Sequence, residues 1–167
     1  MVSAMLGLRG VHHVAVSVPD IEVARRFYIG LLGAREVSAT EWQPGNAFID
    51  DIVGLPGCAG KQFMARLPNT YVEVFEYVTP RSAPQDPDEP VNHYGYTHFG
   101  IEVEDIEAVY DRMVAAGIRF HCPPKHLGDI EERDGKRVGF RSTYGRDFFG
   151  NVFELMEFGE GSAMPAL

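Results

Sequence analysis

Cysteine is scarce in this chain of 167 residues: Cys58 and Cys122 stand far apart, without the CxxC spacing of zinc or redox sites. Both are expected to be reduced thiols that serve as ordinary filler. Long apolar runs are missing as well. No stretch approaches the roughly 20 residues that cross a bilayer. The start, MVSAMLGLRG, lacks the charged head and apolar core of a signal peptide. The expected location is therefore cytoplasmic, with no membrane partner. Basic charge is in deficit too, with Lys plus Arg at 15 against 24 for Asp plus Glu, a formal charge of −9. That balance works against a broad contact with phosphate backbones, so nucleic acid is not an expected partner. What is present is ordinary for a globular unit: 45% hydrophobic and 23% charged residues, with no low-complexity run.

The most informative feature is an internal repeat. HVAVSVPDIE from His13 overlies HFGIEVEDIE from His98 at an offset of 85, with identities at His13/His98, Val18/Val103, Asp20/Asp105, Ile21/Ile106 and Glu22/Glu107. Each copy opens with a strand alternation, Val14, Val16 and Val18 in the first and Phe99, Ile101 and Val103 in the second. Asp20 and Asp105 then stand where an N-cap belongs. The spacing of Ile21, Ala24, Phe27, Tyr28 and Leu31 predicts a helix closed by Gly33, and that of Ile106, Val109, Tyr110 and Met113 one closed by Gly117. Short alternating segments follow, ending in YVEVFEYV (71–78) and NVFELMEF (151–158). Glu73 and Glu154 align at an offset of 81, so the loops between have drifted. The expected architecture is α+β: a first βαβββ module over 1–79, a proline-rich surface linker over 80–90, a second βαβββ module over 91–158 and a tail over 159–167. Together the modules are expected to form a cupped mixed sheet.

Strand parity selects the candidate site. If the apolar positions of each first strand pack on the helix, His13 and His98 lie on the opposite face. Val72 and Val74 flank Glu73 as Phe153 and Leu155 flank Glu154, so both glutamates also project away from the helix. Two imidazoles and two carboxylates make a nitrogen and oxygen donor set suited to one divalent first-row metal: nickel, cobalt, manganese, zinc or iron. The same parity turns His12 and Glu76 elsewhere. Asp50 and Asp51 read as adjacent strand residues pointing to opposite faces, Trp42 reads as packing, and His93, His121 and His126 fall in loops or strand edges. A basic segment, Lys125 to Arg146, offers Arg141 and Arg146 as contacts for an anionic substrate such as a thiol conjugate or acyl-CoA. The other reading of that segment is a solvated loop balanced by Asp129, Glu131, Glu132 and Asp134.

The segments HHVAVSVPDIEVARRFYIGLLG, YVEVFEY, YTHFGIEVEDIEAVYDRMVAAGIRF and GRDFFGNVFELMEF resemble the repeated signatures of the vicinal oxygen chelate superfamily, the glyoxalase-like proteins, over nearly the whole chain. The turn before the last strand reads RDFFGN where the usual pattern is RDPDGN. The resemblance implies His13, Glu73, His98 and Glu154 as metal ligands. It also implies a small-molecule substrate and pairing into a homodimer. A carboxylate at Glu73, where epimerases of the superfamily often carry an amide, implies a glyoxalase-like lyase or an isomerase. Such an enzyme transfers a proton next to a carbonyl, with Glu73 or Glu154 as base. Alternatives within the same resemblance are an Fe(II)-dependent extradiol dioxygenase and a non-catalytic resistance protein that sequesters a small molecule.

Overall fold

The computed structural model describes residues 9–127, 132–133, 136–137, 139–159, 162 and 166–167, with backbone alone at 127, 132–133 and 136–137. The chain divides into two compact units, residues 1–84 and 85–167.

In the first unit, β1 (His13–Ser17) leads through Asp20 into α1 (Ile21–Arg25), which continues as a π-helical stretch over Arg26–Leu31. Asp20 caps the helix as its position suggests, accepting hydrogen bonds from the Glu22 and Val23 amides at 2.9 and 3.0 Å. The π register departs from the expected uninterrupted α-helix. The wider turn, seen in the Leu32 N–H bond to Phe27 O, accompanies the burial of the adjacent Phe27 and Tyr28 rings, which meet edge to face at 5.0 Å. Gly33 ends the segment at φ +72°, a conformation that favours glycine. Then come β2 (Arg35–Trp42), α2 (Ala47–Val53), β3 (Ala59–Arg66) and β4 (Tyr71–Thr79). The four strands form one mixed sheet in the order β1-β4-β3-β2, with β1 and β4 parallel. Val72 and Val74 of β4 are buried with Ile21, Ala24, Phe27 and Phe63, which places the core between the sheet and α1. Val18 joins them, whereas Val14 stays 41% exposed at the start of its strand.

The second unit repeats the plan. β5 (Phe99–Glu102) precedes α3 (Ile106–Ala115), capped by Asp105 through the Ala108 amide, and Gly117 follows at φ +89°. The expected second strand is divided into β6 (Arg119–Phe120) and β7 (Lys125–Leu127), both paired with β10 (Phe140–Arg146). A small ribbon, β8 (Glu132–Arg133) with β9 (Lys136–Arg137), intervenes, and β11 (Val152–Phe158) closes the sheet in the order β5-β11-β10-β6. Ile106, Met113, Phe153 and Leu155 form its core. No helix among the described residues is long and apolar enough to cross a membrane.

One local expectation is corrected by this fold. Asp50 and Asp51 lie on α2, not on a strand, and Asp50 accepts hydrogen bonds from the Gly57 and Cys58 amides. Those bonds hold its carboxyl below the usual aspartate range, the Gly57 amide being the larger cause. Residues 80–90 are exposed, and those from Gln85 on are tied to the second unit. Arg119 pairs with Asp88, and Gln85 donates to Asn151.

Candidate functional site

Parallel pairing of the first and last strand of each unit sets up the site chemistry. In the first, Ala15 stands opposite Glu73, so His13, two residues earlier, lies diagonally beside Glu73 on the same sheet face. In the second, Gly100 stands opposite Glu154 and places His98 likewise. The resulting contacts are the same in both: His13 Nε2 to Glu73 Oε2 at 3.2 Å, and His98 Nε2 to Glu154 Oε2 at 3.2 Å. The glutamates are the more covered partners. Among the described residues no three His, Cys, Asp or Glu side chains gather into one cluster. Each unit holds one His–Glu pair of its own.

Neighbouring strands orient these pairs through residues that strand parity alone did not single out. Gln62 on β3 donates to Glu73 Oε1 at 2.9 Å, and Ser142 on β10 donates to Glu154 Oε1. The two are structurally equivalent, since Gln62 stands opposite Phe75 and Ser142 opposite Met156. In each unit one carboxylate oxygen is thus fixed by a neutral donor while the other faces the imidazole. Tyr144, opposite Glu154, lies against His98 with ring centroids 4.5 Å apart and its hydroxyl 3.4 Å from Nε2. Burial, and next the Glu154 charge, push the Tyr144 phenol up, so it stays a donor at neutral pH. Its counterpart, Met64, stands opposite Glu73, so the surroundings of the two His–Glu pairs differ in polarity. A signal for Gln62 and Ser142 was available: each stands across from the residue two positions after its glutamate.

The residues set aside on parity have definite roles. Glu76 Oε2 accepts the first helical amide, Ile21 N–H, at 2.9 Å, and Glu157 Oε2 accepts Ile106 N–H at 2.8 Å. A repeated carboxylate therefore sits at each helix N-terminus, where the positive end of the helix dipole favours it. His12 is not turned away from its neighbour, because its Nδ1 lies 3.0 Å from His13 Nδ1 while its ring stacks on Tyr71. Trp42 is buried and donates to Cys58 Sγ at 3.3 Å, and both cysteines are free thiols. His93 pairs with Glu89. His126 lies exposed on β7.

Arg141 and Arg146, the expected substrate contacts, are engaged by the protein itself. Arg141 is 4% exposed and pairs with Glu107 and, at 3.4 Å, with Glu157. Arg146, 7% exposed, donates to the carbonyls of Glu89, Gly150 and Pro87 and to His121 Nε2. The side chains of Arg133, Lys136 and Arg137, with those of Asp129, Glu131, Glu132 and Asp134, lie outside the described residues. The RDFFGN turn keeps a tight form despite its departure from pattern. Asp147 accepts from the amides of Phe149 and Asn151, and Gly150 adopts φ +100°.

Comparison with known proteins shows the family. The model of the Glyoxalase/Bleomycin resistance protein/Dioxygenase superfamily matches residues 10–155. The chain belongs to that superfamily. A 2-epi-5-epi-valiolone epimerase from Actinomyces sp is 30% identical over 168 residues, covering 93% of this chain and 83% of the relative. An ethylmalonyl-CoA/methylmalonyl-CoA epimerase from Cereibacter sphaeroides is 33% identical over 147 residues, covering 86% and 94%. Among solved structures, a glyoxalase family protein from Bacillus cereus superposes with a TM-score of 0.74 at 20% identity, over 93% of this chain and 97% of that one. A fosfomycin resistance protein from Listeria monocytogenes, in complex with Mn(II) and sulfate, does so with 0.56 at 14% identity, over 90% and 93%. These structural likenesses show the glyoxalase α+β fold.

Proposed function

We propose that this member of the superfamily is a metal-dependent isomerase of the epimerase kind, which moves a proton on a carbon next to a carbonyl of a small substrate. The observation that carries the reading is the duplicated pair, His13 with Glu73 and His98 with Glu154, each with an imidazole nitrogen facing a carboxylate oxygen. Two neutral imidazoles and two carboxylates fit one divalent transition metal of the nickel, cobalt, manganese, zinc or iron group. When bound, the metal would act as a Lewis acid on the substrate carbonyl, making the adjacent C–H more acidic. Epimerisation also needs one group to take the proton from one side of the carbon and another to return it on the other. Glu73 and Glu154 are two carboxyl groups able to divide that work. Gln62 and Ser142 keep each carboxylate in place through its other oxygen.

The Glu73 carboxylate, where epimerases of the superfamily often carry an amide, pointed to a glyoxalase-like lyase or isomerase, and relatives of 30% and 33% identity named as epimerases favour the isomerase branch. In this reading Arg141 and Arg146 serve the site indirectly, by holding β10 and the turn before Glu154. A homodimer belongs to the same reading, and light scattering after size exclusion would test it.

The deciding experiment measures metal content and solvent deuterium uptake together, with methylmalonyl-CoA as the first probe and cyclic polyol ketones as the second. About one divalent metal per chain is expected, together with uptake at the carbon next to the carbonyl. His98→Ala should lose most of the metal, because a methyl group cannot replace a ligating imidazole. Full metal retention in that variant, or undiminished uptake in both Glu73→Gln and Glu154→Gln, would overturn the proposal.

A further inference from the structure

Each candidate ligand histidine has a partner at its second ring nitrogen, and in both units that partner is the residue immediately before it. His12 Nδ1 lies 3.0 Å from His13 Nδ1, and Thr97 Oγ1 lies 2.9 Å from His98 Nδ1. Residues 12 and 97 are themselves related by the repeat offset of 85. The contact is therefore duplicated although the residue type is not. What an imidazole nitrogen and a threonine hydroxyl share is the ability to serve either as donor or as acceptor. Valine or phenylalanine has neither capacity.

The far side of each ring explains why that matters. Nε2 of both histidines faces a glutamate oxygen at 3.2 Å. With no cation between them, that contact needs a proton on Nε2, and a neutral ring then accepts at Nδ1. A cation held by Nε2 would need its lone pair, and the ring would then carry its proton on Nδ1, where an acceptor is required. The proton would leave Nε2 and one would be gained at Nδ1 through exchange with water. A neighbour that can only donate would block the second state, and one that can only accept would oppose the first.

We propose that His12 and Thr97 are positioning residues for metal binding, each accepting a hydrogen bond from Nδ1–H of the histidine that follows, so that Nε2 keeps its lone pair for the metal. The inference rests on the metal reading above. Stacking of His12 on Tyr71, and the hydrogen bonds from Thr70 Oγ1 and Tyr71 N–H to the His12 carbonyl, hold the first of these residues in place.

The test titrates Co(II) against a competing chelator into the metal-free full-length chain at one fixed pH. Thr97→Val keeps the shape and removes the hydroxyl. His12→Phe keeps an aromatic ring over Tyr71 and removes the ring nitrogen. Both should weaken Co(II) binding by about 10- to 100-fold, the usual scale for loss of a ligand's outer hydrogen bond. Thr97→Ser, which restores the hydroxyl, should bind close to the parent. Nitrogen-15 shifts of the Zn(II)-loaded parent should show His98 protonated at Nδ1. Parent-like Co(II) affinity in Thr97→Val, a loss in Thr97→Ser as large as in Thr97→Val, or an Nε2 proton on His98 in the loaded protein would each overturn the inference. His98→Ala separates the two ideas: undiminished Co(II) binding there removes the metal reading itself, whereas loss there with a parent-like Thr97→Val overturns the present inference and leaves the metal reading standing.

Discussion

The duplicated helix-capping carboxylate supplies its own control for a stability experiment. Glu157 and Glu76 each accept the first amide of a helix at nearly the same distance, 2.8 and 2.9 Å. Glu157 also faces the buried Arg141 guanidinium at 3.4 Å, whereas Lys61 stands opposite Glu76 in register. Glu157→Gln retains an oxygen for the Ile106 amide but removes the charge. At the helix end, the lost anion costs about 0.3–1 kcal/mol. At Arg141, the weakened hydrogen bond to a charged group costs about 1.5–3 kcal/mol, toward the low end because Glu107 still pairs with the guanidinium. The expected total is about 2–3 kcal/mol for Glu157→Gln against about 0.3–1 kcal/mol for Glu76→Gln. Urea denaturation of the metal-free protein reads both, as a shift in midpoint at unchanged slope. In an Arg141→Met background the cost of Glu157→Gln should fall to that of Glu76→Gln, since the partner that made the difference is gone. Equal costs for the two single variants would show that the buried guanidinium does not depend on Glu157.

Three further outcomes follow from other parts of the molecule. Burial, and next the Arg146 charge, hold His121 below its ordinary value of 6.5, so between its folded and unfolded values the unfolded chain binds more protons. Stability should therefore be lost as pH falls below about 6.5, and His121→Gln should flatten that part of a melting-temperature profile against pH; an unchanged profile would rule the group out. Gly60→Ala should destabilise by about 1–3 kcal/mol in thermal unfolding, as overpacking does. Its new Cβ would fall 2.6 Å from the Glu76 backbone oxygen and 2.8 Å from the Trp42 ring. Gly100→Ala should cost less because it mainly meets the flexible end of Met156. A truncated chain ending at Thr79 should show no cooperative unfolding as a monomer, because α1 covers only one face of its sheet.

Much of this was legible because a strand's two-residue period is rigid. Once His13/His98 and Glu73/Glu154 were seen to repeat, parity alone placed each His and Glu on one face, and the parallel pairing of β1 with β4 and β5 with β11 realises that placement. The turn from Asp20 or Asp105 into a helix was legible for the same reason: a capping side chain acts on amides two and three residues away. What escaped reading depends on partners remote in sequence. AFIDDIV gives no clear burial pattern, since Phe48 and Ile52 of α2 remain 73% and 69% exposed, and a helix that buries none of its residues leaves little periodic signal. Parity could say that Glu76 and Glu157 leave the site face, but not that each would reach a helix start 55 or 51 residues away.

Those two carboxylates connect the legible part to the illegible one. In both units the last strand carries Glu-x-x-Glu, and an odd spacing of three sends the two side chains to opposite faces of the sheet. One, Glu73 or Glu154, meets the histidine; the other, Glu76 or Glu157, meets the helix amide. A slip of one residue in β4 or β11 would turn the site glutamate into the helix-packed core and bring Val72 and Val74, or Phe153 and Leu155, to the site face. It would leave a buried carboxylate without its amide and the histidine without its carboxylate at the same time. The register that packs the core is therefore the register that assembles each His–Glu pair, and a sequence that specifies the first has already specified the second.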